Sequence, residues 1–186
     1  MSSLDEIYYT RFETPLGGMW VAKSDRGLVK TSISETKEEF LRDIKRHYKP
    51  SFVESKKKFN DVDAFLHGYF SKKPIKYNGD LDLRGTEFQL SIWRAVHGIP
   101  YGNLSSYGAL AASIGRTKAY RAAGNAVGAN PCGLIIPCHR VIHADGGLGG
   151  FGGGLDLKRR LLAHEGILPN SLKGAEKMVE LTDFFI

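Results

Sequence analysis

From Ile7 to Ser34 the chain reads IYYTRFETPLGGMWVAKSDRGLVKTSIS, with apolar and polar positions alternating. A period of two is that of a half-buried strand. Pro15-Leu16-Gly17-Gly18 and Asp25-Arg26-Gly27 interrupt it, and such clusters predict turns between antiparallel strands. TKEEFLRDIKRHY then places Phe40, Leu41, Ile44 and Tyr48 at helical spacing. Lys56-Lys57-Lys58 reads as a solvated run. Asn60 is expected to cap a helix through Phe70, with Val62, Phe65, Leu66 and Phe70 inward. LDL at 81–83 reads as a last strand.

The texture changes at Arg84-Gly85, after which short helices rich in small residues dominate. Thr86 is placed to cap EFQLSIWRAV, with Phe88, Ile92 and Val96 facing inward. Ile99-Pro100-Tyr101-Gly102 stops that helix. Ser105-Ser106 opens YGALAASI and Gly115 closes it. KAYRAAGNAVG follows and ends at Asn130-Pro131. LIIP reads as an apolar strand running into Cys138. A glycine-rich loop spans Gly146 to Gly154. The final helix, LDLKRRLLAHEG, has Leu157, Leu161 and Leu162 inward, and no strong pattern follows Leu168. This predicts an α/β domain with a small, mainly antiparallel sheet over residues 1–84. A mainly helical domain over 85–170 and a tail over 171–186 complete the chain.

Composition narrows the classes only a little. The 186 residues carry a net charge of +6, with pI near 9.3. Residues 1–84 hold 16 basic and 13 acidic side chains, and residues 85–186 hold 10 and 7, so neither part concentrates the charge. Such a balance suits nucleic acid or an anionic surface without requiring either. No run approaches the ~20 apolar residues of a membrane span. MSSLDEIYYT lacks a basic start and an apolar core, so no secretory signal is expected. The two cysteines, Cys132 and Cys138, read as free thiols of a reducing compartment, cytoplasmic or, in a eukaryote, nuclear. The six histidines lack tight ligand spacing and no metal is expected.

Two features carry candidate chemistry. The helices on either side of Gly115-Arg116-Thr117 have the layout of a helix-turn-helix. Lys118 and Arg121 lie near the start of the second, where such a motif meets DNA. Ala119, Ala122, Ala123 and Gly124 leave its backbone open to close approach. An αα-hairpin inside a core satisfies the same pattern. Cys138, behind the restraining Pro137 and followed by His139, is a candidate low-pKa thiolate. In an extended segment, however, neighbouring side chains point to opposite faces. A buried, inert cysteine satisfies that pattern too.

From Gly85 to Leu168 the chain resembles the O6-alkylguanine-DNA alkyltransferases. GTEFQLSIW, IPYG, SSYGALA, RAAGNAVGANP, IIPCHRVI, GGLGGFGGG and LLAHEG appear in that family's order and spacing. TPLGGMWVAKSDRGL resembles its first domain, less specifically. The resemblance implies a ribonuclease H-like first domain and a winged helix-turn-helix-like second. It implies DNA repair by direct reversal, in which the alkyl group of O6-alkylguanine, and in some relatives O4-alkylthymine, passes irreversibly to Cys138. The implied partner is double-stranded DNA carrying the lesion, bound by a monomer without a cofactor or a membrane.

The resemblance also implies roles residue by residue. Cys138 matches the acceptor, His139 the base acting through a water, and Glu165 the carboxylate that orients it. On pattern alone Glu165 would be a solvated charge. Asn130 matches the residue that tightens the turn before the active-site segment. Arg121 matches the finger that replaces the flipped base, with Lys118, Ala119, Ala122 and Gly124 along the same DNA-facing helix. Tyr107 matches the residue that crowds the target phosphate and helps to neutralise the departing guanine. Extrusion is required because a stacked base keeps its O6 atom from a buried thiol. Pro137, Val141, Phe151, Gly152 and Gly153 match the guanine pocket, the two glycines permitting close backbone approach. Three departures stand out: Phe151 where the family often has tyrosine, Thr117 where it often has proline, and no zinc-binding cysteines in the first domain. A lesion-sensing binding module, a helix-turn-helix regulator and a cysteine hydrolase using Cys138 and His139 remain alternatives. The first lacks the acceptor cysteine and the second needs more chain.

Overall fold

The computed structural model describes residues 5–167, in two compact units. The first takes residues 5–84 with 131–135, and the second takes 85–130 with 136–167.

In the first unit the alternating stretch forms three strands, β1 (Asp5–Thr14), β2 (Gly17–Ser24) and β3 (Gly27–Ser32). They pair antiparallel in sequence order, Tyr9 opposite Ala22 and Val21 opposite Thr31. Helix α1 (Lys37–Ile44) follows, opened by a Thr36–Glu39 capping box worth ~1 kcal/mol. The chain then returns as β4 (Pro50–Glu54), parallel to β1, giving the order β3-β2-β1-β4. Pattern reading missed β4 because only Phe52 and Val53 are apolar in PSFVE. Phe40 and Ile44 of α1 pack with Ile7, Tyr9, Ala22, Val29 and Tyr48. Neighbouring residues Val21 and Ala22 of β2 are both fully buried, so this central strand is covered on both faces.

Helix α2 (Asn60–Phe70) lies where the pattern put it, but Asn60 is not its cap. A 3₁₀ turn over Lys56–Phe59 runs straight into it, and Phe59 occupies the cap position. Tyr69, not Phe70, joins Val62, Phe65 and Leu66 on its buried side. LDL is not a strand: only Leu81 makes a bridge, to Leu28. Cys132 makes a second isolated bridge, to Thr31, which places residues 131–135 in this unit.

The second unit begins with α3 (Glu87–His97), opened by the Thr86–Gln89 capping box. Ile92, Trp93 and Val96 are buried, and the Trp93 indole N–H donates to the Ala126 carbonyl at 2.8 Å. The two-residue strand β5 (Ser105–Ser106) leads into α4 (Tyr107–Ser113), which the Ser106 side chain caps. Gly115, at φ +72°, ends that helix in a conformation that side-chain-bearing residues disfavour. Helix α5 runs from Tyr120 to Gly128, two residues later than the pattern suggested, leaving Lys118 and Ala119 in the turn. Strand β6 (Val141–Ile142) pairs parallel with β5, and α6 (Leu155–His164) closes the described fold. Leu104, Ile142, Leu162 and Ile167 form the core beneath them. The expected tail lies outside the described residues.

Candidate active site

The short β5–β6 ladder sets Ser105 opposite Val141 and Ser106 opposite Ile142. Tyr107 leaves β5, and Cys138-His139-Arg140 immediately precedes β6. Two segments some thirty residues apart are thereby held side by side. Cys138 does not end a strand, as the apolar run suggested. It opens a 3₁₀ turn, Cys138–Arg140. Leu134 stands at φ +71° and Pro137 has no N–H to donate to a ladder, so the run cannot continue as a strand. Instead Cys138 N–H turns back to the Ile136 carbonyl at 2.7 Å, and Arg140 N–H to that of Pro137 at 2.9 Å.

The turn changes the local chemistry. Cys138 is half-buried, and burial pushes its thiol pKa up. A hydrogen bond from Asn130 and the charge of Lys158 work the other way. The Asn130 side-chain amide also donates to the Ile136 carbonyl at 2.8 Å, so one side chain ties the end of α5 to the cysteine turn. His139 is wholly buried. Its Nε2 lies 2.7 Å from Glu165 Oε1, and its Nδ1 is buried without a protein hydrogen-bond partner. Burial lowers the histidine pKa, opposed by Glu165 and seconded by Arg140 and Lys158.

Glu165, which pattern alone would leave in solvent, is buried just beyond α6. Burial alone would raise its pKa. Hydrogen bonds and charge from His139 and Arg140 outweigh that and hold it at about 2.

Two buried cations were not singled out from the sequence. Arg140 grips Glu165 through Nε (2.9 Å to Oε2) and Nη2 (3.0 Å to Oε1). Lys158 is fully buried in α6. Its ammonium donates to the Val141 carbonyl at 2.6 Å and to that of Leu148, pinning the loop after β6 to the strand. Burial brings its pKa down to about 8 while the nearby Cys138 favours the charge. Spacing did hold a signal here: residues 158, 161, 162 and 165 share one helical face, and Leu161 and Leu162 mark that face as buried.

Tyr107 is half-buried, with its hydroxyl pKa raised first by burial and then by Cys138. Its ring lies 5.2 Å from that of His143. Gly149, at φ +68°, leaves room for the phenol, since a Cβ there would come within 2.6 Å of the Tyr107 hydroxyl. Phe151 is half-buried, its ring centre 5.9 Å from the Lys158 ammonium. Pro137 and Val141 are buried. The two pocket glycines differ: a Cβ on Gly153 would meet Leu157 at 2.8 Å, whereas one on Gly152 would meet nothing within 4 Å.

Along α5 and the turn before it, Lys118, Arg121 and Ala122 are exposed and Ala119 is partly so. Ala123, Ala126 and Val127 face the core. Arg121 lies 5.7 Å from the ring centre of Tyr120, itself half exposed. The side-chain position of Gly124 faces Tyr107 rather than open solvent: a Cβ there would lie 3.7 Å from the ring.

Among the described residues there is no cluster of metal-binding side chains and no helix long and apolar enough to cross a membrane. What is assembled is a half-buried thiol, a buried histidine–glutamate pair and two buried cations, in the same unit as an exposed basic helix start.

Comparison with known proteins is consistent across the chain. Residues 7–83 match the 6-O-methylguanine DNA methyltransferase ribonuclease-like domain, and residues 87–167 match the DNA-binding domain of the same name. A methylated-DNA–protein-cysteine methyltransferase of Methanosarcina barkeri is 41% identical over 86% of this chain and 97% of its own. One from Mycolicibacterium paratuberculosis is 41% identical over 86% and 92%. Among solved structures, Mycobacterium tuberculosis OGT in complex with DNA superposes with a TM-score of 0.73 at 37% identity, covering 86% of this chain and 93% of that one.

Proposed function

Given that the chain belongs to the 6-O-methylguanine DNA methyltransferase family, we propose that it repairs DNA by taking the alkyl group of O6-alkylguanine onto Cys138. The observation that carries this reading is the arrangement around the PCHR turn: Cys138 beside Asn130, with His139 locked to a buried Glu165.

The step balances as follows. The Cys138 proton moves, through a water, to His139 Nδ1. The thiolate attacks the alkyl carbon in line with the C–O6 bond, which breaks with its electron pair on guanine. The guanine anion takes up a proton from water and His139 gives its proton back to water, so on balance the thiol's proton ends on the restored base and His139 is neutral again. Tyr107 faces this change with a neutral hydroxyl, because burial keeps its pKa high. The product thioether has no leaving group, and each chain acts once. The pocket is formed by Pro137, Val141, Phe151, Gly152 and Gly153. Arg121, Lys118, Ala119 and Ala122 meet the duplex, and Arg121 fills the place of the extruded base. One chain supplies every group, so a monomer suffices.

Intact mass after incubation with DNA containing O6-methylguanine tests the assignment. One methyl per chain, on the peptide containing Cys138 and absent from Cys138→Ala, is expected. No gain of mass, or a gain that survives the substitution, overturns it. Continued turnover of a small ester by Cys138 would establish the hydrolase alternative instead.

A further inference from the structure

Arg140 has no part in the transfer chemistry above, yet its side chain is almost wholly buried and every hydrogen bond it makes within the cluster serves one carboxylate or fixes its own place. Nε and Nη2 fork onto Glu165, and Nη1 donates to the Ile99 carbonyl at 2.7 Å. The next turn of the same loop completes the cradle: Gly102 N–H donates to Glu165 Oε2 at 3.1 Å, and the Tyr101 ring lies 5.8 Å from the guanidinium. The IPYG motif, which the transfer step leaves unused, is thereby part of the site.

The geometry points to Arg140 as a positioning residue for alkyl transfer: its fork seats Glu165 and neutralises it, so that His139 rests as a neutral imidazole presenting its Nδ1 lone pair. This rests on the proposed function and adds to it. Arginine offers donors only. With Arg140 and Gly102 donating to both carboxylate oxygens, Glu165 has to be an ionised acceptor. His139 Nε2 is then the N–H partner of Oε1, which leaves Nδ1 as the basic atom. Charge leads to the same place. A buried carboxylate with no cation beside it holds a proton on whatever base it touches. Arg140 supplies that cation, and the Glu165–Arg140 pair is neutral before His139 takes any proton. The other charged group acting on the imidazole is Lys158 from α6, in the same sense as Arg140.

The test is the pH dependence of single-turnover transfer from a free O6-alkylguanine base, which needs no DNA contact. In Arg140→Gln the unneutralised Glu165 holds a proton on His139. The acid limb of the profile should move up by one pH unit or more, with at least a tenfold loss of rate at neutral pH. Arg140→Lys keeps the charge and loses the fork, so its limb should stay within a few tenths of wild type while its rate falls about tenfold. A limb unmoved in Arg140→Gln, or moved equally in both variants, overturns the proposal. If Arg140→Gln does not fold, Arg140→Lys decides, and transfer at the wild-type rate overturns the role. Nitrogen chemical shifts of wild-type His139 give an independent reading: a neutral ring protonated at Nε2 at pH 7 is expected, and an imidazolium or an Nδ1–H form contradicts it. Wild-type protein that gains no alkyl group would instead defeat the proposed function itself.

Discussion

The buried charges around Cys138 set the reactivity of the thiol and the acid sensitivity of the fold together. Lys158 is the nearest test of the first. Lys158→Met keeps the volume of the side chain and removes the charge that favours the thiolate. Alkyl uptake at pH 7 should slow by tenfold or more, and the gap should narrow as the pH is raised and the thiol ionises without help. A constant gap across pH would mean that lysine acts only by holding the Val141 and Leu148 carbonyls. Glu165 tests the second. It ionises near 2 in the folded protein against 4.5 ordinarily. Between those values the unfolded chain binds more protons, so its stabilisation is complete above pH 4.5 and is lost as the pH falls toward 2. The full difference corresponds to roughly 3 kcal/mol. His139 acts in the same sense at a higher pH: burial lowers its pKa, so the unfolded imidazole protonates first and stability falls below 6.5. Denaturant midpoints of wild type should therefore drop more steeply between pH 5 and 3 than those of Glu165→Gln. Parallel curves would show that Glu165 contributes no such linkage.

At the scale of elements, the proposed DNA contacts and the chemistry are divided between α5 and the turn before β6. Arg121 is exposed at the start of α5 and is not among the groups that surround His139 or Cys138. Arg121→Ala should therefore slow repair of duplex DNA far more than transfer from a free O6-alkylguanine base, because only the duplex needs a substitute for the extruded base. A cost of a few kcal/mol, the scale of unstacking one base, is a loss on the order of 100-fold. Equal losses on both substrates would place Arg121 in the chemistry instead. Elements also show what local pattern carries. The capped helices α1 and α3 and the hairpin strands were legible because each has its own start signal and period. β4 was not, because a short edge strand with two adjacent apolar residues has no period to read. The strand expected into Cys138 failed for a related reason. An apolar run of four residues does not distinguish a strand from buried turns, and Leu134 and Pro137 decided for turns.

For the molecule as a whole, alkylation should lower stability. The Cys138 sulfur is hydrogen-bonded to Asn130, whose amide also holds the Ile136 carbonyl at the end of α5. A methyl group on that sulfur removes one bond and adds volume to a close-packed site, a change that typically costs about 1–3 kcal/mol. The strain falls on Asn130-Pro131, where the chain leaves the second unit for the bridge between Thr31 and Cys132. Methylated protein should melt several degrees lower than free protein and be cut more readily between residues 115 and 135. Identical melting midpoints with unchanged cleavage would remove the idea.

The sequence by itself determined the three hairpin strands, the helix starts at Thr86 and Ser106 and, through PCHR and its companion motifs, the family and the thiol proposed as acceptor. These are local properties: a capping side chain reaches three residues, an apolar stripe repeats every three or four, and a motif is contiguous. What surrounds the thiol was decided only in three dimensions. Pattern alone leaves Glu165 a solvated charge and does not single out Lys158, until α6 turns its Leu161–Leu162 face inward and carries both into the core. Arg140 finds its carboxylate 25 residues away and its carbonyl 41 away, at Ile99. Burial removes water, which would otherwise screen each of these charges. Which charges then face one another is a matter of packing, and that packing pairs His139 with Glu165.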